Sequence, residues 1–454
     1  MQDLKEWLWL RRKESGGAGK WYREKKKQVK WNFRILLQKV RGDLLSGFCI
    51  NLVTLPVVLS AFYEWNVLSV LVNLAVLPLM GILLGCCIFL AAAGAFLQTV
   101  VPGFLPFLLP FSVPVRAILY FYEKICLMEL ALPFGRIRTG QPEAWQMILF
   151  CCGVTGILLT AGKMPRVFGI LASVLLGSIF LMRPQHEIQM TMLDVGQGEC
   201  IYIETEKGHD YLYDGGSTSK KDTGNWQILP FLKYEGVSRL ELIFVSHCDV
   251  DHISGLLELL NFSEDGILEV GGIVLAEGSP EDEMQIKLRE TAQKAEVPVY
   301  TMAAGDRITD GKCEFAALYP GKDCETTDRN QTSLVLRFAG RQNGKEVFSA
   351  LLTGDTETVS EREMLPGITK TTVLDVAHHG SNTSSSDAFL DRAEPELALI
   401  SCGKDNSYGH PHADVLRRLE ERQIPVMVTA QKGAVTVRQK GQRITVETFS
   451  EDVD

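Results

Sequence analysis

Six of the eight histidines of this chain collect at three places, each just after an apolar run. The first place is FVSHCDVDHISG, with His247, Asp249, Asp251 and His252 inside six residues. The second is VLDVAHHGSN, which delivers His378 and His379; the third is YGHPH, with His410 and His412. A further apolar run, ALLTGD, ends on Asp355. Imidazoles and carboxylates brought together at strand ends are the ligand set of a divalent-metal site. Histidines packed singly in a core would not gather this way.

The spacing divides the ligands between two ions. On an extended segment His247 and Asp249 project to the same side, while Asp251 and His252 turn toward a second position. The expected sets are His247, Asp249 and one of His378 or His379 for one ion, and Asp251, His252 and His410 for the other. Adjacent histidines do not easily serve one ion, so His379 is expected to ligate. His378, with Asp251, is then a catalytic group that touches substrate or hands a proton to a leaving group. A two-ion site acidifies a water and clamps the charge that develops in an in-line displacement at phosphorus. His412 opens HADVLRRLEER and is expected at a helix N-terminus. Cys248 lies between ligands on the opposite face of the segment and is expected to pack. The run SNTSSSD offers either hydroxyls to a phosphate or an N-cap at Ser386 or Asp387.

The elements that must hold these residues begin near Ile188. Short β-rich runs (IQMTMLDV, ECIYIET, HDYLYDGG, LELIFVSH) give way to helical stretches, and then to a second strand-rich half. That order suits two sheets packed face to face and covered by helices. The part before it differs in kind. Apolar stretches at roughly 45–62, 68–101, 104–127, 145–161 and 167–182 have the length and composition of membrane helices. Pro78 could break the second into a hairpin. The expected organisation is a basic segment at 1–44, transmembrane helices at 45–186 and a hydrolase domain at 187–454.

Charge follows the same division. Residues 1–45 carry a net +8, residues 46–186 a net +3 and residues 187–454 a net −20. Basic residues beside spans mark the cytoplasmic side. Those before Leu45, with Lys163 and Arg166, predict an extracytoplasmic hydrolase domain; Arg136 and Arg138 count against it. The N-terminal apolar run is too short for a signal peptide. An odd five cysteines in the soluble part argue against a full disulfide framework, though Cys313 could bridge Cys324.

The motifs carry a resemblance. SHCDVDHISG resembles the H-x-H-x-D-H signature of the metallo-β-lactamase superfamily, with Asp249 where the second histidine usually stands. YLYDGG is similar to the preceding motif, whose aspartate, here Asp214, braces the ligand loop. LLTGD resembles the bridging-carboxylate motif, so the resemblance implies that Asp355 bridges the two ions. Together with MLDVGQGE, NQTSLVLRF, VAHHGSN and YGHPH, these are similar to the C-terminal domain of the ComEC family of competence proteins. LSVLVNLAVLPLMGILL resembles the later part of that family's channel domain. The resemblance implies an α-helical transmembrane region followed by an α/β metallo-β-lactamase fold, an αββα sandwich. It implies two divalent ions, and nuclease action on one DNA strand during uptake through the cytoplasmic membrane. Other DNA-uptake proteins would be partners, and an oligomer would fit. The harder ligand at Asp249 favours Mn²⁺, with Zn²⁺ as the alternative.

The chain departs from the family pattern in two ways. The longer N-terminal region of the family is missing, and no histidine stands between His252 and Asp355, where a third motif would supply one. Asn330 or Ser333 is the expected stand-in. Two other readings compete with the nuclease. One is a phosphodiesterase for a small, lipid or cell-wall substrate, which an acidic domain would not hinder. The other is a membrane transport or scaffold protein whose metal domain does not turn over.

Overall fold

The structure is a computed structural model. It describes residues 21–450 except 101–104, 131, 133–134, 161–162, 164, 183–185, 325–327 and 442. The basic residues before Trp21 therefore lie outside the described residues. The chain divides into two compact units, one mostly before Ile179 and one from Phe180 onward with a short contribution from residues 138–141.

The first unit is helical: α1 (Trp21–Phe62), α2 (Ser69–Val100), α3 (Val113–Leu130), α4 (Ala144–Thr160) and α5 (Arg166–Gly177). Two of these, over Lys27–Phe62 and Ser69–Val100, are long and apolar enough to cross a membrane; α4 and α5 are shorter. The hairpin allowed at Pro78 does not form, because α2 runs through the proline as one helix. The stretch expected from residue 104 breaks into a 3₁₀ turn at Leu105–Ser112 and α3, with Pro110 inside the turn. Proline lacks the N–H that would continue an α-helix. Tyr122 on α3 donates to the carbonyl of Val76 on α2 over 2.9 Å.

The second unit is built on two sheets. In chain order the first half contributes β1 (Ile188–Met192), β2 (Ile201–Glu204), β3 (Asp210–Tyr213), α6 (Leu229–Glu235), β4 (Leu242–Phe244), α7 (Val250–Glu264), β5 (Ile273–Ala276), α8 (Glu283–Lys294) and β6 (Val299–Met302). The second half contributes β7 (Arg307–Asp310), β8 (Cys313–Tyr319), β9 (Val335–Gln342), β10 (Lys345–Leu352), α9 (Thr358–Met364), β11 (Val373–Asp375), α10 (Asp387–Ala393), β12 (Leu397–Ile400), α11 (Ala413–Glu421) and β13 (Val426–Val428). A closing hairpin, β14 (Val435–Lys440) and β15 (Arg443–Thr448), returns to the first sheet.

The strand orders are β6-β5-β4-β3-β2-β1-β14-β15 and β7-β8-β9-β10-β11-β12-β13. Each begins antiparallel and turns parallel: β3 runs with β4, and β10 with β11. The inner faces meet in a core of Met190, Met192, Tyr213, Phe244, Phe315, Phe338 and Phe348. The outer face of one sheet packs under α7 and α8, through Leu256, Leu259 and Leu288. The outer face of the other packs under α10 and α11, through Phe389, Leu390, Val415 and Leu419. This is the expected four-layer αββα order. In β8 burial alternates along every residue, the mark of a strand with one face in the core.

A candidate metal centre

The ligand residues leave the C-terminal ends of β4, β10, β11 and β12, on the loops that follow the parallel strands. β4 ends at Phe244 and passes through Ser246 to His247; Asp249 is the N-cap residue of α7. The carbonyl of Asp251 accepts from the Glu199 N–H over 3.0 Å, and Gly216 N donates to Glu199 O over 3.0 Å. Two glycine-rich loops thus clamp the ligand turn. Gly198 (φ +150) makes this clamp feasible, because a Cβ there would lie 2.3 Å from Gly216 O and 2.6 Å from Asp251 O.

Three histidines are anchored in the same sense. His252 Nδ1 lies 2.8 Å from Asp214 Oδ2, His379 Nδ1 lies 2.9 Å from the carbonyl of Ser401, and His247 Nδ1 lies 3.0 Å from Ser246 Oγ. Ser246 in turn donates its hydroxyl to Asp214 over 2.6 Å and its backbone N–H to Asp214 over 2.8 Å. A histidine that donates from Nδ1 presents the Nε2 lone pair. The Nε2 atoms of His247, His252 and His379 are buried and have no hydrogen-bond partner among the described residues, as is true of Asp355 Oδ1. Four orphaned polar atoms converging in one place would be costly without an occupant, so the donor set fits divalent ions.

Asp355 lies at the middle and divides the ligands between its oxygens. Oδ1 faces His252 Nε2 at 3.3 Å and His379 Nε2 at 3.6 Å. Oδ2 faces His378 Nε2 at 3.6 Å and His247 Nε2 at 4.0 Å. Asp251 joins the first group, 3.7 Å from His379, and Asp249 joins the second, 3.6 Å from His247. His247, His252 and Asp355 place their ligand atoms within 4.8 Å of one another, and so do Asp251, His252 and His379.

His378 and His379 reach one cavity through an unusual backbone. Both have φ +54, and Gly380 follows at +82. Left-handed residues side by side undo the usual divergence of neighbouring side chains, at roughly 1–3 kcal/mol for each non-glycine. His379 is almost wholly buried, whereas the His378 side chain is 22% exposed and also faces Glu357 at 3.5 Å. His410 stands farther out. Its ring centre is 6.2 Å from that of His379 and 5.9 Å from that of His378, and it joins neither ligand cluster.

Asn330 and Ser333 are not among the clustered ligands either. Their turn is tied to the site by Leu334 N donating to Ser246 O, and the buried Ser333 hydroxyl has no partner among the described residues. The side chain that reaches the site from this turn is Arg329, which pairs with Asp249 and with Asp282. Composition gave no sign of Arg329, because its partners lie far away in the chain. Ser246 and Ser401 were also missed, although each stands at a strand end next to a motif residue. Glu199 approaches His252 at 3.8 Å and is a further buried carboxylate behind the ligands. Cys248 packs in the outer core, and burial pushes its thiol up to about 12. Ser386 caps α10, and His412 stands at the N-cap of α11. All eleven cysteines are free, so Cys313 and Cys324 do not bridge.

The electrostatics match a site that holds cations. Burial alone would raise the Asp355 carboxyl, but the charges of His379 and His252 outweigh it and hold it well below the usual range. Burial opposes the charged forms of His252 and His379, yet Asp355 and their other carboxylate partners, Asp214 for His252 and Asp251 for His379, raise both. Burial and the neighbouring His379 and His378 push His410 down to about 4, so it is neutral at pH 7.

Comparison with known proteins agrees with this picture. A family model for competence proteins matches residues 17–164, and the metallo-β-lactamase superfamily model matches residues 193–298. ComE operon protein 3 of Bacillus subtilis (strain 168) is 27% identical over 444 residues, 91% of this chain and 54% of that protein. The chain is similar to the ComEC family of competence proteins across both of its units. Competence protein ComA of Neisseria gonorrhoeae is 31% identical over 64% of this chain and 38% of its own length. The chain thus spans about half the length, or less, of these relatives. The crystal structure of the metallo-β-lactamase fold protein YhfI from Bacillus subtilis aligns over 53% of this chain and 96% of that one, at 12% identity and a TM-score of 0.37.

Proposed function

We propose that the C-terminal unit is a two-metal phosphodiesterase that cuts DNA during its uptake across the cytoplasmic membrane. The observation that carries this reading is the sharing of Asp355. One carboxylate presents an oxygen to each of two histidine groups, and the Nδ1 atoms of His252, His379 and His247 are already engaged. Divalent ions held there would supply Lewis-acid polarisation of a phosphodiester and an acidified water. His247, Asp249 and Asp355 Oδ2 would hold one ion; Asp251, His252, His379 and Asp355 Oδ1 would hold the other. His378, more exposed and facing Glu357, is placed to hand a proton to the leaving oxygen. His410, half-buried and about a ring's width from His378 and His379, would be available to complete a coordination sphere. Mn²⁺ is favoured over Zn²⁺ because carboxylates at positions 249, 251 and 355 harden the set.

The protein would be multi-pass, with the hydrolase unit outside the cytoplasm, where incoming DNA meets it. Similarity to competence proteins and the two long apolar helices support a membrane location. The test is cleavage by the full chain in detergent of single- and double-stranded DNA with Mn²⁺ or Zn²⁺, against His247→Ala with Asp355→Ala. Cleavage in Mn²⁺ that the double variant loses is the expected result.

A second reading is favoured by one observation. The domain carries a net −20, and nucleic-acid binding faces are normally basic. Hydrolysis of bis-p-nitrophenyl phosphate without any cutting of DNA would point to a small-molecule phosphodiesterase instead.

A further inference from the structure

The loop between β12 and α11 carries more than His410. It starts from Ser401, whose carbonyl accepts from His379 and whose hydroxyl donates to Gly198 O over 2.6 Å. It is stapled across its base by Asn406. That side chain donates to the carbonyls of Gly403 (2.9 Å) and His410 (2.7 Å) and accepts from His410 N (2.9 Å). A loop tied this tightly can present a side chain in a fixed place. The side chain it presents is Tyr408, whose ring stacks on His410 with centres 5.6 Å apart and planes 23° from parallel. Tyr408 is nevertheless 58% exposed. One ring face lies on a site histidine, and the rest of the ring stands open beside the metal centre. Lys404, at the start of the same loop, is exposed and enters no ion pair among the described residues. Lys221 is likewise exposed, on a loop joined to the foot of this one through Ser219 Oγ, Gln197 and Gly403.

We infer that Tyr408 and Lys404 form a subsite for single-stranded DNA, in which Tyr408 stacks on the base next to the scissile phosphate and Lys404 holds an adjoining phosphate. The inference rests on the nuclease reading above and adds strand selectivity to it. An open aromatic face beside a phosphate-cleaving centre suits an unpaired base, because every base offers a π-face and only unpaired strands expose it. In a duplex those faces are covered by the neighbouring pairs. The arrangement also answers the acidic balance of the domain. Stacking supplies affinity that does not depend on an extended basic surface, and only one or two phosphate contacts are needed beside it.

The test compares the full chain in detergent with Tyr408→Leu, Tyr408→Phe and Lys404→Gln. Two substrates are used, a single-stranded 12-mer and bis-p-nitrophenyl phosphate, and binding of a labelled 12-mer is followed by anisotropy in EDTA. In Tyr408→Leu the ratio of kcat/KM for the 12-mer to that for the small substrate should fall roughly tenfold, with weaker binding in EDTA. Tyr408→Phe should restore both. In Lys404→Gln the dependence of 12-mer binding on log salt should flatten by about one ion. If Tyr408 merely props His410, both activities fall together, the ratio stays constant and the inference is overturned while the nuclease reading stands. A duplex 12-mer affected as strongly as the single strand overturns the strand selectivity. A wild type that hydrolyses the small substrate but neither binds nor cuts DNA overturns the nuclease reading, and this inference with it.

Discussion

His252 donates from Nδ1 to Asp214 across 2.8 Å, and the same Asp214 oxygen accepts the Ser246 hydroxyl that contacts His247. One buried carboxylate therefore orients two ligand histidines. Asp214→Asn should be worse than removal of a single contact, because its amide would donate toward Nδ1 and turn the Nε2 proton into the metal site. Metal affinity of Asp214→Asn and Asp214→Ala, measured by competition with a chelator, should drop by about 10- to 100-fold. Wild-type affinity in both variants would remove Asp214 from this role.

Metal content is the second expectation. Elemental analysis of the dialysed full chain should find about two divalent ions, and His247→Ala with Asp355→Ala should bind neither. Because Asp355 serves both histidine groups, Asp355→Ala alone should lose more metal than His247→Ala alone. Equal losses would separate the two groups.

Metal binding should also release protons. Against the opposing effect of burial, the carboxylates raise His252 and His379 above the ordinary histidine value, which favours their protonated forms in the ion-free protein. An ion must displace those protons, so affinity rises as pH rises through the histidine values and falls in acid. Calorimetry in buffers of different ionisation enthalpy should show net proton release at pH 7. Heats that do not vary with the buffer would contradict the assignment.

Gly198→Ala should damage the site without touching a ligand. The new Cβ would press on the carbonyls of Gly216 and Asp251. A loss of about 1–3 kcal/mol in stability, together with weaker metal binding, is expected from thermal unfolding and metal titration. Gly305→Ala, also at positive φ but with nothing close to a new Cβ, controls for backbone conformation alone.

Topology is open to direct labelling. With native cysteines removed and Ser279→Cys introduced, a membrane-impermeant thiol reagent should label intact cells. Labelling only after lysis would put the hydrolase unit in the cytoplasm and remove the proposed action on incoming DNA.

The sequence made the ligand strands legible because each is an apolar run that stops on a polar residue. Hydrophobic periodicity and strand ends are local properties, and His247, Asp355 and His379 were found through them. The two-sheet layering followed from the same periodicity. The partners that orient the ligands were harder to see. The acceptor for His379 is a backbone carbonyl, which no residue type announces. Arg329 meets Asp249 only because the turn before β9 folds back onto the first sheet, a tertiary fact with no local signal. The apolar N-terminal stretches were legible as helices but not as spans of a given number, since 3₁₀ turns and short helices share the composition of crossing ones.

The paired left-handed residues at His378 and His379 also govern how the site can vary. A β-branched side chain at either position would meet its own backbone, so the loop cannot drift through valine, isoleucine or threonine on the way to another ligand. Asparagine and glycine tolerate that backbone, and of the two only asparagine retains a donor atom. Exchange of the metal chemistry here is therefore confined to a narrow set of single steps. Inserting or deleting one residue between Ala377 and Gly380 would rotate both imidazoles out of the cavity at once.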